Sequence, residues 1–204
     1  MARKTAATRK AEIVATTLRL ADELGPDRLT TQAVANAVGL TQPAVFRHFP
    51  TKQALWLGVA EAIDATMTDA WQAALASRSA PLDRVDLLIR TQLRQIEGNP
   101  AIPAILHSRE LHTENAELRE RFRSLMMRFQ GLLRAELIAA RDGGLIRGDV
   151  DPDDGAILLI SLLQGLAIRW ALGSRSFALE AEGARLLEAQ MKLFRPAAAT
   201  EKGT

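Results

Sequence analysis

The 204-residue chain has no cysteine and no tyrosine, and aromatic residues make up only 4% of it. Without cysteine there are no disulfides, no thiolate metal sites and no cysteine nucleophile, which fits a reducing cytoplasm. No serine-nucleophile motif stands out either, so no catalytic residues are assigned. Gly143, Gly144 and Gly148 form a glycine-rich stretch. A phosphate-binding loop would need a preceding strand and a Gly-Lys-Ser/Thr ending, and both are missing. His107, Glu110 and His112 are the nearest approach to a metal cluster. At helical pitch the two histidines lie about 140° apart, whereas zinc-binding helices place two histidines four apart. No metal or cofactor is expected. No apolar run reaches the ~20 residues of a membrane span. The nearest, Ala156 to Leu172, is interrupted by Ser161, Gln164, Gly165 and Arg169. Arg3, Lys4, Arg9 and Lys10 near the N-terminus are not followed by the apolar stretch of a signal peptide. The expectation is a cytoplasmic protein that is neither an enzyme nor membrane-bound.

What is present is apolar residues at 48% and charged residues at 25%, ordinary for a globular protein. Alanine and leucine abound, and few segments are rich in β-branched residues, so an all-α fold is expected. The formal net charge is +2, but it is unevenly spread. Residues 1–56 hold eight Lys/Arg against four acids, a net +4, and the remainder is −2. A basic head on a slightly acidic body suits a head that meets phosphate.

The stretch from Thr30 to Leu55 reads as two short helices and a tight turn. Thr30 is an N-cap, its hydroxyl accepting from a first-turn amide. Ala33, Val34, Ala37 and Val38 follow at helical spacing. Gly39 ends that helix, because glycine adopts the left-handed conformation without steric cost. Thr41 is a second N-cap, and Pro43 falls in the following first turn, where its missing N–H costs nothing. Val45 and Phe49, four apart, anchor the second helix. This is the pattern of a helix-turn-helix, whose second helix enters the major groove of DNA. Gln42 can hydrogen-bond a base edge, Pro43 and Ala44 can touch thymine methyls, and Arg47 can reach guanine or phosphate. Thr30, Thr41, Phe46, His48 and Lys52 suit backbone contacts that position the protein without reading sequence.

The run GLTQPAVFRHFPTKQAL resembles the recognition-helix signature of TetR-like transcriptional regulators. The family pattern falls on Gly39, Thr41, Phe46, Arg47, His48, Phe49 and Lys52. One departure is Phe46, where the family usually has tyrosine; a phosphate contact through that hydroxyl would be missing here. The resemblance covers about residues 8 to 55. It implies a three-helix head over residues 1–55, completed by an amphipathic helix from Thr8 to Leu24. It further implies a helical ligand-binding and dimerisation domain over residues 56–195, with 1–7 an arm and 196–204 a tail, both without fixed structure.

Periodicity in the body predicts helices from Thr51 to about Ala76, Leu82 to Glu97, Ala101 to Leu111 (irregular at Pro103), Glu114 to Arg141, Asp153 to Leu172 and Phe177 to Phe194. The helix from Asp153 is apolar nearly all round, so one side needs a partner. The resemblance implies a homodimer through residues 153–172 and 177–194, with Ala156, Gly165, Ala167 and Ala171 allowing close approach. It also implies double-stranded DNA as partner, in a palindromic operator released by a small, largely apolar inducer. Candidate pocket residues are Trp71, Ile105, Met126, Phe129, Gln164, Arg169 and Trp170. The alternative is a protein partner for the body and no inducer, as in family members linked to nucleoid control of cell division.

Overall fold

A computed structural model describes residues 5–196. Ten α-helices and no strand occur among the described residues, in keeping with the all-α expectation. The chain divides into two compact units, Met1–Asp69 with Gln95–Met126 and Ala70–Arg94 with Met127–Thr204. This division by packing differs from the functional one placed at residue 55, which marks the end of the helix-turn-helix.

In the first unit, α1 (Ala6–Leu24) starts earlier than expected, because Thr5 caps it by accepting from Thr8 N at 3.1 Å. Residues 5–7 are therefore cap and first turn, not an arm; residues 1–4 and 197–204, the rest of the expected arm and tail, lie outside the described residues. One face of α1 buries Ile13, Val14, Thr17, Leu20 and Ala21. The Thr17 hydroxyl is satisfied by donating to Ile13 O at 2.8 Å. Helices α2 (Thr31–Val38) and α3 (Gln42–Phe46) pack on each other, and α2 packs on α1. Helix α4 (Lys52–Ala76) brings Leu55, Trp56, Val59, Ile63 and Met67 to this core. Gly58 lets α4 approach the helix-turn-helix closely: a Cβ there would stand 2.6 Å from Phe49 Cε1. Close-packed interiors do not absorb such an intrusion without moving the ring.

The segment expected as one irregular helix from Ala101 is two, α6 (Ala101–His107) and α7 (Arg109–Glu114). They follow α5 (Pro81–Gly98). Pro103 lies in the first turn of α6, where it does no harm; the break is at Ser108, in an extended conformation (ψ 104°). Ser108 accepts from Leu111 N at 3.0 Å as the cap of α7, and its hydroxyl donates to the Asp27 carboxylate. Asn115 acts similarly. Its Oδ1 accepts from Leu118 N at 3.0 Å to cap α8 (Ala116–Asp142), and its Nδ2 donates to Gln53 O at 3.4 Å.

In the second unit, Trp71, Val85, Leu88, Ile89, Leu93, Phe129, Leu133 and Leu137 are buried with the inner faces of α9 (Pro152–Leu172) and α10 (Leu179–Phe194). Gly183 permits a close approach, since a Cβ there would meet Leu93 Cδ1 at 2.1 Å. Asp151 caps α9, accepting from Asp153 N at 2.7 Å, with Pro152 in the first turn. Starting at Pro152 makes α9 a 21-residue helix, long and apolar enough by length and composition to cross a membrane. The sequence expectation, which counted from Ala156, is corrected on that point. Eight of its residues, Pro152, Gly155, Ala156, Leu159, Leu163, Leu166, Ala167 and Trp170, are buried within the unit. The opposite face leaves Ile157, Leu158, Ile168 and Leu172 exposed. Ala156 and Ala167 thus face the unit's own core, and of the four small residues only Gly165 and Ala171 lie outward.

Candidate nucleic-acid interface

The turn between α2 and α3 is built by local chemistry. Thr30 Oγ1 accepts from Ala33 N at 3.1 Å and so caps α2. Gly39 ends α2 at φ 72°, ψ 36°, the left-handed region. Leu40 N then donates back to Ala35 O at 2.9 Å, closing the helix end. Thr41 stands at the start of α3 in an extended conformation, but its hydroxyl makes no capping bond, contrary to the sequence expectation. The reason lies two residues on. Pro43 has no N–H to donate, and the next amide, Ala44 N, bonds to the Thr41 carbonyl at 2.9 Å. A serine or threonine cap would use one of those two amides. The Thr41 hydroxyl is left exposed.

Val45 is fully buried and Phe49 nearly so, which fixes α3 on the unit's core. Thr41, Pro43 and Arg47 are exposed, and Gln42, Phe46, His48 and Lys52 are half-exposed. Ala44 departs from expectation: it is 8% exposed, because it shares the inward face with Val45 and offers a base almost no surface. Thr51 Oγ1 accepts from Ala54 N at 3.0 Å, capping α4, whose first residue is Lys52. Among the described residues, Arg47, His48 and Lys52 have no ion-pair partner. As cations left unpaired at a surface, Arg47 and Lys52 are free to neutralise phosphates and release counterions.

The side chain of Gln42 is not free. Its Nε2 donates to Thr31 Oγ1 at 2.7 Å, joining the first residues of α3 and α2. The sequence reading passed over Thr31, which is buried. A partner eleven residues away leaves no periodic trace.

The seven candidate pocket residues are divided between the two units. Ile105 and Met126 belong to the first unit, Ile105 buried and Met126 41% exposed. In the second unit Trp71 stacks on Phe129 with centroids 4.8 Å apart, and its indole donates to Gln92 Oε1 at 2.8 Å. Trp170 is buried and donates to Phe177 O at 3.0 Å. Gln164 is half-buried. Arg169, expected to be costly on an apolar helix, lies on its exposed side. It meets Glu182 at 3.5 Å and rests 5.2 Å from the Phe177 ring centroid. Cavities of about 530 Å³ and 590 Å³ in the second unit are lined by none of the seven. Two buried polar atoms in the first unit, Trp56 Nε1 and His112 Nδ1, have no hydrogen-bond partner among the described residues. His107 and Glu110 are exposed, and His112 turns its Nε2 to Leu106 O at 3.1 Å.

Residues 13–59 match the family model for bacterial regulatory proteins of the tetR family. Residues 81–194 match the C-terminal model of BetI-type transcriptional repressors. The chain is 33% identical to the nucleoid occlusion factor SlmA of Vibrio atlanticus over 139 residues, 68% of this chain and 69% of that one. Its fold is similar to a TetR transcription regulator from Haloarcula marismortui, with a TM-score of 0.79 at 22% identity, covering 92% and 98% of the two chains. It is similar also to the regulator FadR of Bacillus subtilis in complex with stearoyl-CoA, with a TM-score of 0.78 at 14% identity, covering 91% and 99%. With an α2–α3 helix-turn-helix at one end of the matched sequence and a helical body after it, the chain belongs to the TetR family of DNA-binding transcriptional regulators.

Proposed function

We propose that this regulator is a homodimeric repressor acting in the cytoplasm, with α3 of each subunit in the major groove of one half of a palindromic operator. The observation that carries the reading is the outward side of α3 and the start of α4. There Arg47, His48 and Lys52 stand unpaired around Gln42 and Pro43 on a frame fixed by Thr30, Gly39 and Thr51. Residues 1–55 are the DNA-reading part, and 56–195 carry dimerisation and response. The dimer forms on the uncovered side of α9, through Ile157, Leu158, Ile168 and Leu172, joined by Leu193 of α10, which is 66% exposed. Two-fold symmetry makes such a face complementary to itself and presents two heads to two half-sites.

What releases the repressor has two readings. A small, largely apolar ligand is the first, supported by the fold shared with a regulator that binds stearoyl-CoA. A protein partner is the second. It is favoured by the satisfied, stacked packing of Trp71, Phe129 and Trp170 and by the likeness to a nucleoid occlusion factor. Selection of bound fragments from the source genome, followed by footprinting, tests the operator. The expected result is a palindromic footprint that is lost in Lys52→Ala; binding without sequence preference would overturn it. Titrating stearoyl-CoA into the operator complex then separates the two responses. Release supports the ligand, and an unchanged complex favours the protein partner.

A further inference from the structure

We propose that Thr31 is a positioning residue for sequence readout: it holds the Gln42 amide in the plane that reads adenine. The inference rests on the operator reading above and assigns one base contact within it. Gln42 Nε2 carries two hydrogens, and one is given to Thr31 Oγ1 at 2.7 Å. With the hydrogen trans to Oε1 given to Thr31, the cis N–H and the Oε1 acceptor stay free, side by side on the amide edge. That pair matches adenine in the major groove, where N7 accepts and the N6 amino group donates. A free glutamine at a protein surface samples many rotamers and must be ordered when it binds a base. Here the ordering is already done by a residue that is itself buried. Thr31 suits the task because it is itself fixed. It is the first residue of α2, directly after the Thr30 cap, and is only 8% exposed. The neighbouring amide on α2 is arranged differently: Gln32 Nε2 donates to Asn36 Oδ1 at 2.7 Å, within the one helix. Of these two amide hydrogen bonds, the one to Thr31 crosses from α2 to α3.

The test is selection from randomised duplex DNA with the full chain and three variants, Gln42→Ala, Thr31→Val and Thr31→Ser. Melting temperature is followed in parallel. Thr31→Val keeps the shape and branching and removes the acceptor; Thr31→Ser keeps the hydroxyl. The native chain should enrich adenine at one position in each half-site, and Gln42→Ala should flatten that position alone. Thr31→Val should lower the preference at the same position by about tenfold, the order of one glutamine's rotamer freedom. It should leave other positions and the melting temperature unchanged, and Thr31→Ser should restore the preference. An unchanged adenine preference in Thr31→Val would overturn the proposal. So would equal loss on all sequences, or a preferred base other than adenine at the position governed by Gln42. If the native chain enriches no site at all, the operator reading itself fails, a different result from any of these.

Discussion

Two surfaces of this chain are incomplete, and in opposite ways. Along α3 and the start of α4, charge stands without counter-charge: Arg47 and Lys52 have no ion-pair partner among the described residues. On α9, apolar surface stands without cover, at Ile157, Leu158, Ile168 and Leu172. The second unit has many cations, yet most are matched nearby. Arg134 meets Asp153 at 2.6 Å, Arg90 meets Asp86 at 2.7 Å, Arg147 meets Asp149 at 2.9 Å and Lys192 meets Glu188 at 3.1 Å. Near-neutral overall charge therefore conceals one region of unmatched cations and another of uncovered apolar surface. Attraction through the first weakens with salt, through the second it does not.

The comparison can be broken from either side. Leu158→Glu should have the largest effect. Burying a leucine contributes about 1.5–3 kcal/mol, and symmetry doubles it, so the dimer constant should weaken by about two to four orders of magnitude. Analytical ultracentrifugation reads this directly. A native chain that sediments as a monomer would remove the basis of the α9 interface. Next come Arg47→Ala and Lys52→Ala. Each removes two phosphate contacts per dimer, so the slope of log affinity against log salt should flatten by about two. Fluorescence anisotropy across a salt series checks it, and parallel lines for native and variant would count against phosphate contact. The smallest effect sharpens the contrast. The Glu182 carboxyl is held below its usual range by hydrogen bonding from Arg185, with Arg169 adding to it. Its folded-state pKa is depressed, so its contribution is present at neutral pH and is lost as pH falls through that lowered value. Carboxyl NMR titration should give an acidic midpoint for Glu182 that moves up in Arg185→Ala, with little change in overall stability.

Much of the head was legible because its signals are local. Thr30 and Gly39 act on amides and carbonyls within a few residues of themselves, and each is found in its expected role. Thr41 marks the limit of that logic: the cap position is right, but Pro43 removes the amide a cap would hold. Ala44 shows the limit of treating every residue beside a recognition helix as a contact, since Val45 fixes which way a five-residue helix faces. The body was legible as helices, but the surroundings of individual side chains were not. Trp71 and Phe129 do meet, yet Met126 is exposed and Arg169 pairs with Glu182, because helical phase and tertiary partners decide these outcomes. The Thr31–Gln42 contact joins residues far apart in sequence and obeys no period, so only the packed turn reveals it. The exposed side of α9 follows from its pattern, although the helix begins earlier than a count of apolar residues suggests.

Ser108 uses its one hydroxyl both to start a helix and to hold the head at Asp27, and Asn115 divides the same two tasks between Oδ1 and Nδ2, the latter at the Gln53 carbonyl. Helix nucleation and attachment are thereby a single event. Fraying the first turn of α7 or α8 frees a strut of the DNA-reading frame in the same step, and re-forming that turn resets it. The amides of Leu111 and Leu118 should accordingly exchange with solvent as one cooperative unit with those around Asp27 and Gln53, not as ordinary helix ends.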